Sequence, residues 1–132
     1  MACKTMNVVI DDRPVYIREW PATVALENIN EAFSVIGPEI IPFIEGNQVF
    51  PDTLRLISLG KKGEVMPLVR KFVCAARVDG KEISESTFNA EYNGELARVF
   101  EVFAAVCRVN YQAFFEQGRS TLTPNPEMEE VE

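Results

Sequence analysis

Side chains able to do chemistry are few in this chain, and most are scattered. The most suggestive run is Leu56-Ile57-Ser58-Leu59-Gly60-Lys61-Lys62-Gly63-Glu64-Val65, a G-x-x-G loop with two lysines between apolar stretches. Backbone N–H groups flanked by two ammonium groups can face phosphates. The competing reading is a glycine-punctuated helix–helix connection whose lysines point to water. The loop lacks the G-x-x-x-x-G-K-[ST] spacing of a nucleotide cradle, so no nucleotide claim follows.

Catalysis finds even less. The chain has no histidine, which removes the commonest general base and the commonest metal ligand. Its three cysteines, Cys3, Cys74 and Cys107, do not stand at metal-ligand spacing. Cys74 and Cys107 lie in apolar helical runs and read as small buried hydrophobes in a reducing compartment. No histidine is present to activate a thiolate nucleophile. Asp11 and Asp12 are neighbours, but a turn uses aspartate for its own backbone geometry. The sequence therefore predicts no catalytic residue, no cofactor and no metal. A net charge of −7 disfavours general affinity for nucleic acid or anionic membrane. No run approaches the roughly 18–20 apolar residues of a membrane span, and no signal segment opens the chain. A cytoplasmic protein is expected.

The elements that would position any site are those of a single α+β domain, mainly α, over residues 1–117. The longest helical pattern is 94–117. Leu96, Val99, Phe100, Phe103, Val106, Cys107, Tyr111 and Phe114 recur on one face, with Glu95, Arg98, Glu101, Arg108 and Gln112 opposite. A hairpin over 6–20 turns at Asp11-Asp12-Arg13-Pro14, with proline in the turn or first in its strand. Helices are expected at about 21–36 (stripe Leu26, Ile29, Phe33, Ile36), 51–59 and 64–77. A broken single turn lies near Pro42, and a polar connector at 83–93 is anchored by Phe88 and Tyr92. The hairpin packs on this bundle of about four helices. Residues 118–132 read as a flexible acidic tail.

Asn110 falls on the apolar seam, where an unpartnered amide would cost about 1–3 kcal/mol. It is expected to bond to backbone in a neighbouring loop, with the 78–93 connector as one site. Phe114 and Phe115 project about 100° apart, so both cannot lie in one stripe. With Tyr111 they either cover the hairpin or form a docking patch.

The hairpin V-x-I-D-D-R-P-V-x-I-R-E running into Arg18-Glu19-Trp20, several amphipathic helices, and the ending Val109-Asn110-x-x-x-Phe114-Phe115 together resemble the tail assembly chaperones of long-tailed bacteriophages. The resemblance spans roughly residues 6–117. It implies a non-catalytic protein of the infected host cytoplasm, absent from the finished virion. Such a protein binds the tape measure protein and helps recruit tail tube subunits. Self-association is compatible with it. Tyr111, Phe114 and Phe115 are then the partner-binding candidates, and Asn110 and Trp20 the structural ones. Many members have a longer frameshifted form; no lysine follows Lys81 here, so the common lysine slip codons are not evident near the end. The alternatives are a head–tail connector protein and a KH-like nucleic-acid module built on Gly60–Gly63.

Overall fold

Asp11 and Asp12 both take left-handed backbone angles, φ 52° and 62°. That pair makes the tight two-residue turn that matches the twist of two antiparallel strands. In the computed structural model, which describes residues 5–59 and 63–122, the turn joins β1 (Thr5–Ile10) to β2 (Arg13–Arg18). The turn is shorter than the four residues expected, and Pro14 is the second residue of β2, opposite Val9. Proline is accommodated because that pair need not exchange hydrogen bonds with β1. Its carbonyl accepts instead from the Asp79 N–H at 2.9 Å.

A third strand, β3 (Ala76–Val78), pairs antiparallel with β2 and makes an open sheet ordered β1-β2-β3. The helix expected to run to 77 therefore stops earlier. α4 spans Val65–Val73 and buries Val65, Leu68, Val69, Phe72 and Val73. Ala76 and Val78 are buried as strand residues, alternating with exposed Arg77. Local helical pattern loses here to the open edge of β2, which offers ladder bonds and the apolar neighbours Val15 and Ile17. Asp79 and Gly80, both at positive φ, then turn the chain.

α1 (Ala22–Val35) starts after Pro21, as expected, but presents a different face. The covered row is Ala25, Asn28, Ile29, Ala32, Val35 and Ile36, while Leu26 and Phe33 point outward. The helix is turned by less than one residue step, about 100°. A row carrying two alanines lets its backbone approach the body closely; the bulkier Leu26–Phe33 row would hold it off.

A 3-10 turn (Pro38–Ile40) leads into the short α2 (Ile41–Glu45), then α3 (Phe50–Ser58). Gly46 closes α2 at φ 82°, and a Cβ there would come 2.8 Å from the Arg108 Cδ. The left-handed backbone angle favours glycine here, and any Cβ would also make the Arg108 side chain shift. The 83–93 connector, read as irregular, contains α5 (Phe88–Tyr92), with Tyr92 buried and Phe88 half-buried. The fold is mostly helical; α2 fills the place of the single turn expected near Pro42, and α5 is added to the four longer helices expected.

The long C-terminal helix is three pieces. α6 (Leu96–Cys107) is buried on every side from Val102 to Cys107, packed among α2, α4, α5 and the sheet. A helix apolar all round is a core helix. A π turn follows (Arg108–Gln112), then α7 (Ala113–Leu122), which continues past the expected end at 117 into the segment read as tail. Residues 123–132 of that segment lie outside the described residues, as do Gly60, Lys61 and Lys62 of the G-x-x-G loop.

Candidate interaction surface

Trp20 and Asn110, ninety positions apart, are joined. The Trp20 backbone N–H donates to Asn110 Oδ1 at 2.8 Å. Asn110 Nδ2 donates to the Val106 carbonyl at 3.0 Å. The partner of Asn110 is thus the hairpin exit, not the 78–93 connector. The indole stands edge-on to Phe72, with centroids 5.0 Å apart, and 6.3 Å from the Tyr111 ring. Tyr111 is only 3% exposed, and its hydroxyl donates to the Ala25 carbonyl at 2.7 Å. Burial pushes its phenol pKa up. Tyr111 is therefore a core residue tying α1 to the π turn, which removes it from the candidate docking patch. The two end segments of the chain, Arg18–Trp20 and Val109–Phe115, meet in one place.

The π turn explains how Phe114 and Phe115 differ. At the start of this turn the Val106 carbonyl accepts from the Asn110 side chain four residues on. Insertion of a side chain into the ladder is a recognised cause of local unwinding. One π turn absorbs about one extra residue, so the seam past it shifts from 114 to 115. Phe115 is accordingly half-buried, stacked on Phe33 of α1 with centroids 6.3 Å apart and planes within 5°. Phe114 is 64% exposed, edge-on to Phe115. A regular period of 3.6 places Phe114 on the seam, and the structure corrects this. Gln112 Nε2, donating to the Glu45 carbonyl at 3.1 Å, and the Arg119–Glu45 ion pair hold this end against α2. Phe33, Phe114 and Phe115, with Leu26 two turns away on the Phe33 face, form one outward apolar strip.

A second strip was not singled out from sequence. On α3 only Leu56 is buried; Phe50 (70% exposed), Leu54 and Ile57 recur at i, i+4, i+7 on the outward side. Val49 and Leu96 are exposed as well, Leu96 at 73% although it was expected on the apolar seam. Between α3 and α6 lies a groove of about 230 Å³, lined by Val49, Phe50, Ala97 and Phe100 among others. Gln48 also lines it, and its Oε1 is buried without a hydrogen-bond partner. The available signal was an excess: a nine-residue helix with one inward position had more large apolar residues than that position could use.

The sequence also gave no sign of a buried charge cluster. Arg98, expected on the wet face, is 1% exposed. Its guanidinium bonds the Glu91 carboxylate at 2.8 Å and the Glu91 carbonyl at 2.7 Å, and lies 4.6 Å above the Tyr92 ring. Glu91 also pairs with Arg13 at 2.8 Å, and Arg13 with Asp79 at 2.9 Å. The cluster clamps α5 and α6 to the hairpin. Residues seven apart on two helices carry no spacing rule that would announce it.

Among the described residues no reactive groups are brought together. Burial pushes the Cys107 thiol far up and raises that of Cys74, so neither favours a thiolate. Among the described residues no group of histidine, cysteine or carboxylate side chains could hold a metal ion. No helix among them is long and apolar enough to cross a membrane. What the surface offers is two apolar strips on an acidic domain.

Compared with known families, residues 11–123 match the model of the phage tail assembly chaperone protein family, TAC. Neither the curated proteins nor the solved structures gave a match.

Proposed function

The chain belongs to the phage tail assembly chaperone family, and from that membership we propose that it is a non-catalytic chaperone for the tape measure protein. It acts in phage tail morphogenesis. In this reading it holds apolar helices of the tape measure protein soluble in the host cytoplasm, helps bring tail tube subunits to them, and is left out of the mature virion. One observation supports the reading most. A chain of net charge −7 presents large apolar side chains in two rows, Phe50-Leu54-Ile57 with Leu96, and Phe33-Phe114-Phe115. Rows at i, i+4, i+7 are the shape into which a partner's amphipathic helix fits. The acidic remainder keeps the loaded complex apart from its neighbours.

The test is co-purification with the tape measure protein encoded by the same phage. Phe50→Ser/Leu54→Ser and Phe114→Ala/Phe115→Ala are expected to lower capture while leaving the far-ultraviolet spectrum unchanged. Capture undiminished in both folded variants would remove these rows from the mechanism. Stoichiometric presence of the chain in purified virions would instead favour a structural connector.

A further inference from the structure

β1 is the longer of the two outer strands of the sheet. Its residues, Thr5-Met6-Asn7-Val8-Val9-Ile10, include no charge and no proline, in a chain of which 25% is charged. Edge strands are ordinarily protected by just such residues. Two observations decide which backbone groups face outward. The two-residue turn closes on Ile10 opposite Arg13, and a loop of this length closes on a pair that exchanges both ladder bonds. Pro14, opposite Val9, has no N–H, and its carbonyl is bonded on the β3 side. Alternation then directs Met6, Val8 and Ile10 to β2, and leaves the N–H and C=O groups of Thr5, Asn7 and Val9 on the open side. Among the described residues no backbone bond from another element reaches them.

We propose that this edge is a self-association site, on which a second copy of the chain lays its own β1 antiparallel. The open groups are self-complementary about Asn7. With Asn7 opposite the second copy's Asn7, Thr5 lies opposite Val9 in both directions, and every open N–H and C=O is bonded. Sliding until Asn7 faces Val9 leaves Thr5 without a partner in the strand. Sliding by a single position opposes core-facing to solvent-facing side chains. In the matched register Met6 lies opposite Val8 on the core-facing side. Both are half-buried in one copy, and the second strand completes their cover, making one six-stranded sheet. The second copy is favoured as the occupant by symmetry: both strands supply the same three open residues and the same half-buried Met6 and Val8. Each chain carries a net charge of −7, but the uncharged β1 sets no like charges opposite one another in this register. A single strand pair is smaller than a standard interface, so the dimer is weak and forms with rising concentration.

The experiment uses the full chain. Sedimentation across a concentration series is expected to show monomer passing to dimer. Amide hydrogen exchange followed by nuclear magnetic resonance should show Thr5, Asn7 and Val9 gaining protection as concentration rises, with Met6 and Val8 protected throughout. Asn7→Pro deletes the central open N–H without touching a β2 bond, and should weaken dimerisation about tenfold or more. Should that variant fail to fold, Asn7→Glu, at an exposed side chain, decides the matter by setting two carboxylates directly opposite one another across the edge. A chain that stays monomeric at the concentrations of the exchange experiment overturns the proposal. So does a dimer that both variants leave intact. Tape measure capture is scored separately, so loss of dimer with retained capture distinguishes this edge from the apolar rows.

Discussion

Replacing Asn110 by alanine tests whether the hairpin exit and the π turn are one device. The substitution strips the Trp20 N–H of its acceptor, a bond of 2.8 Å at a half-buried site. A stranded buried donor costs about 1–3 kcal/mol; with Trp20 only partly covered, the lower part of that range applies, about 1–2 kcal/mol. The bond from Nδ2 to the Val106 carbonyl is lost as well, but an under-satisfied carbonyl is tolerated more readily than a stranded N–H. For a chain of this size the melting temperature should fall by about 3–8 °C. Trp20 is the sole tryptophan, so urea unfolding followed by its fluorescence reports from the altered site, with far-ultraviolet dichroism as the global measure. The same variant should let the π turn tighten to α, which moves Phe114 toward the seam and breaks the Phe33–Phe115 stack. Asn110→Asp separates the two effects, since it keeps the acceptor for Trp20 and loses the donor to Val106. A loss below about 0.5 kcal/mol for the alanine variant would refute the account of the bond. Unchanged nuclear Overhauser contacts between Phe33 and Phe115 in that variant would refute the account of the register.

Arg98→Met should cost about 3 kcal/mol, the low end for stranding a buried ion partner, because Arg13 still faces Glu91; chemical denaturation measures it, and adding Glu91→Leu should recover part of the loss. Tyr92→Phe removes a buried hydroxyl that has no partner, and should leave stability equal or up to about 1 kcal/mol higher. Burial holds the Tyr92 phenol up at about 12. Its neutral form thus favours the fold below pH about 10, and that contribution drains away as pH climbs from 10 toward 12. The stability difference between wild type and Tyr92→Phe should therefore be constant below pH about 10 and widen only in that window. Cys107, wholly buried with its thiol pushed up, should resist iodoacetamide in the folded chain and react on unfolding; rapid native labelling, read by peptide mass, would contradict its placement.

Much of the architecture could be read from residue order. Asp11-Asp12 between alternating apolar residues announces the hairpin, Gly37-Pro38 ends α1, and the spacing in Val65–Val73 predicts all the residues that α4 buries. These signals are local: turn geometry, capping and the period of one helix are set by neighbours within a few positions. The apolar excess on α3 was legible too, but only as an excess, since pattern does not say which of two overlapping rows a body will cover.

For this protein the sequence determined the hairpin, the places of the main helices, the absence of histidine and the acidity. Tertiary structure decided which faces those elements turn inward. β3 exists because the free side of β2 offers bonds and apolar contacts to a segment that would otherwise extend α4. Arg98 is buried because Glu91, Tyr92 and Arg13 converge on it from other elements. Tyr111 is core and Phe114 surface because a side-chain amide ninety residues from Trp20 enters the helix ladder and delays its register by about one residue. Such choices depend on contacts between distant segments, and no periodicity along the chain encodes them.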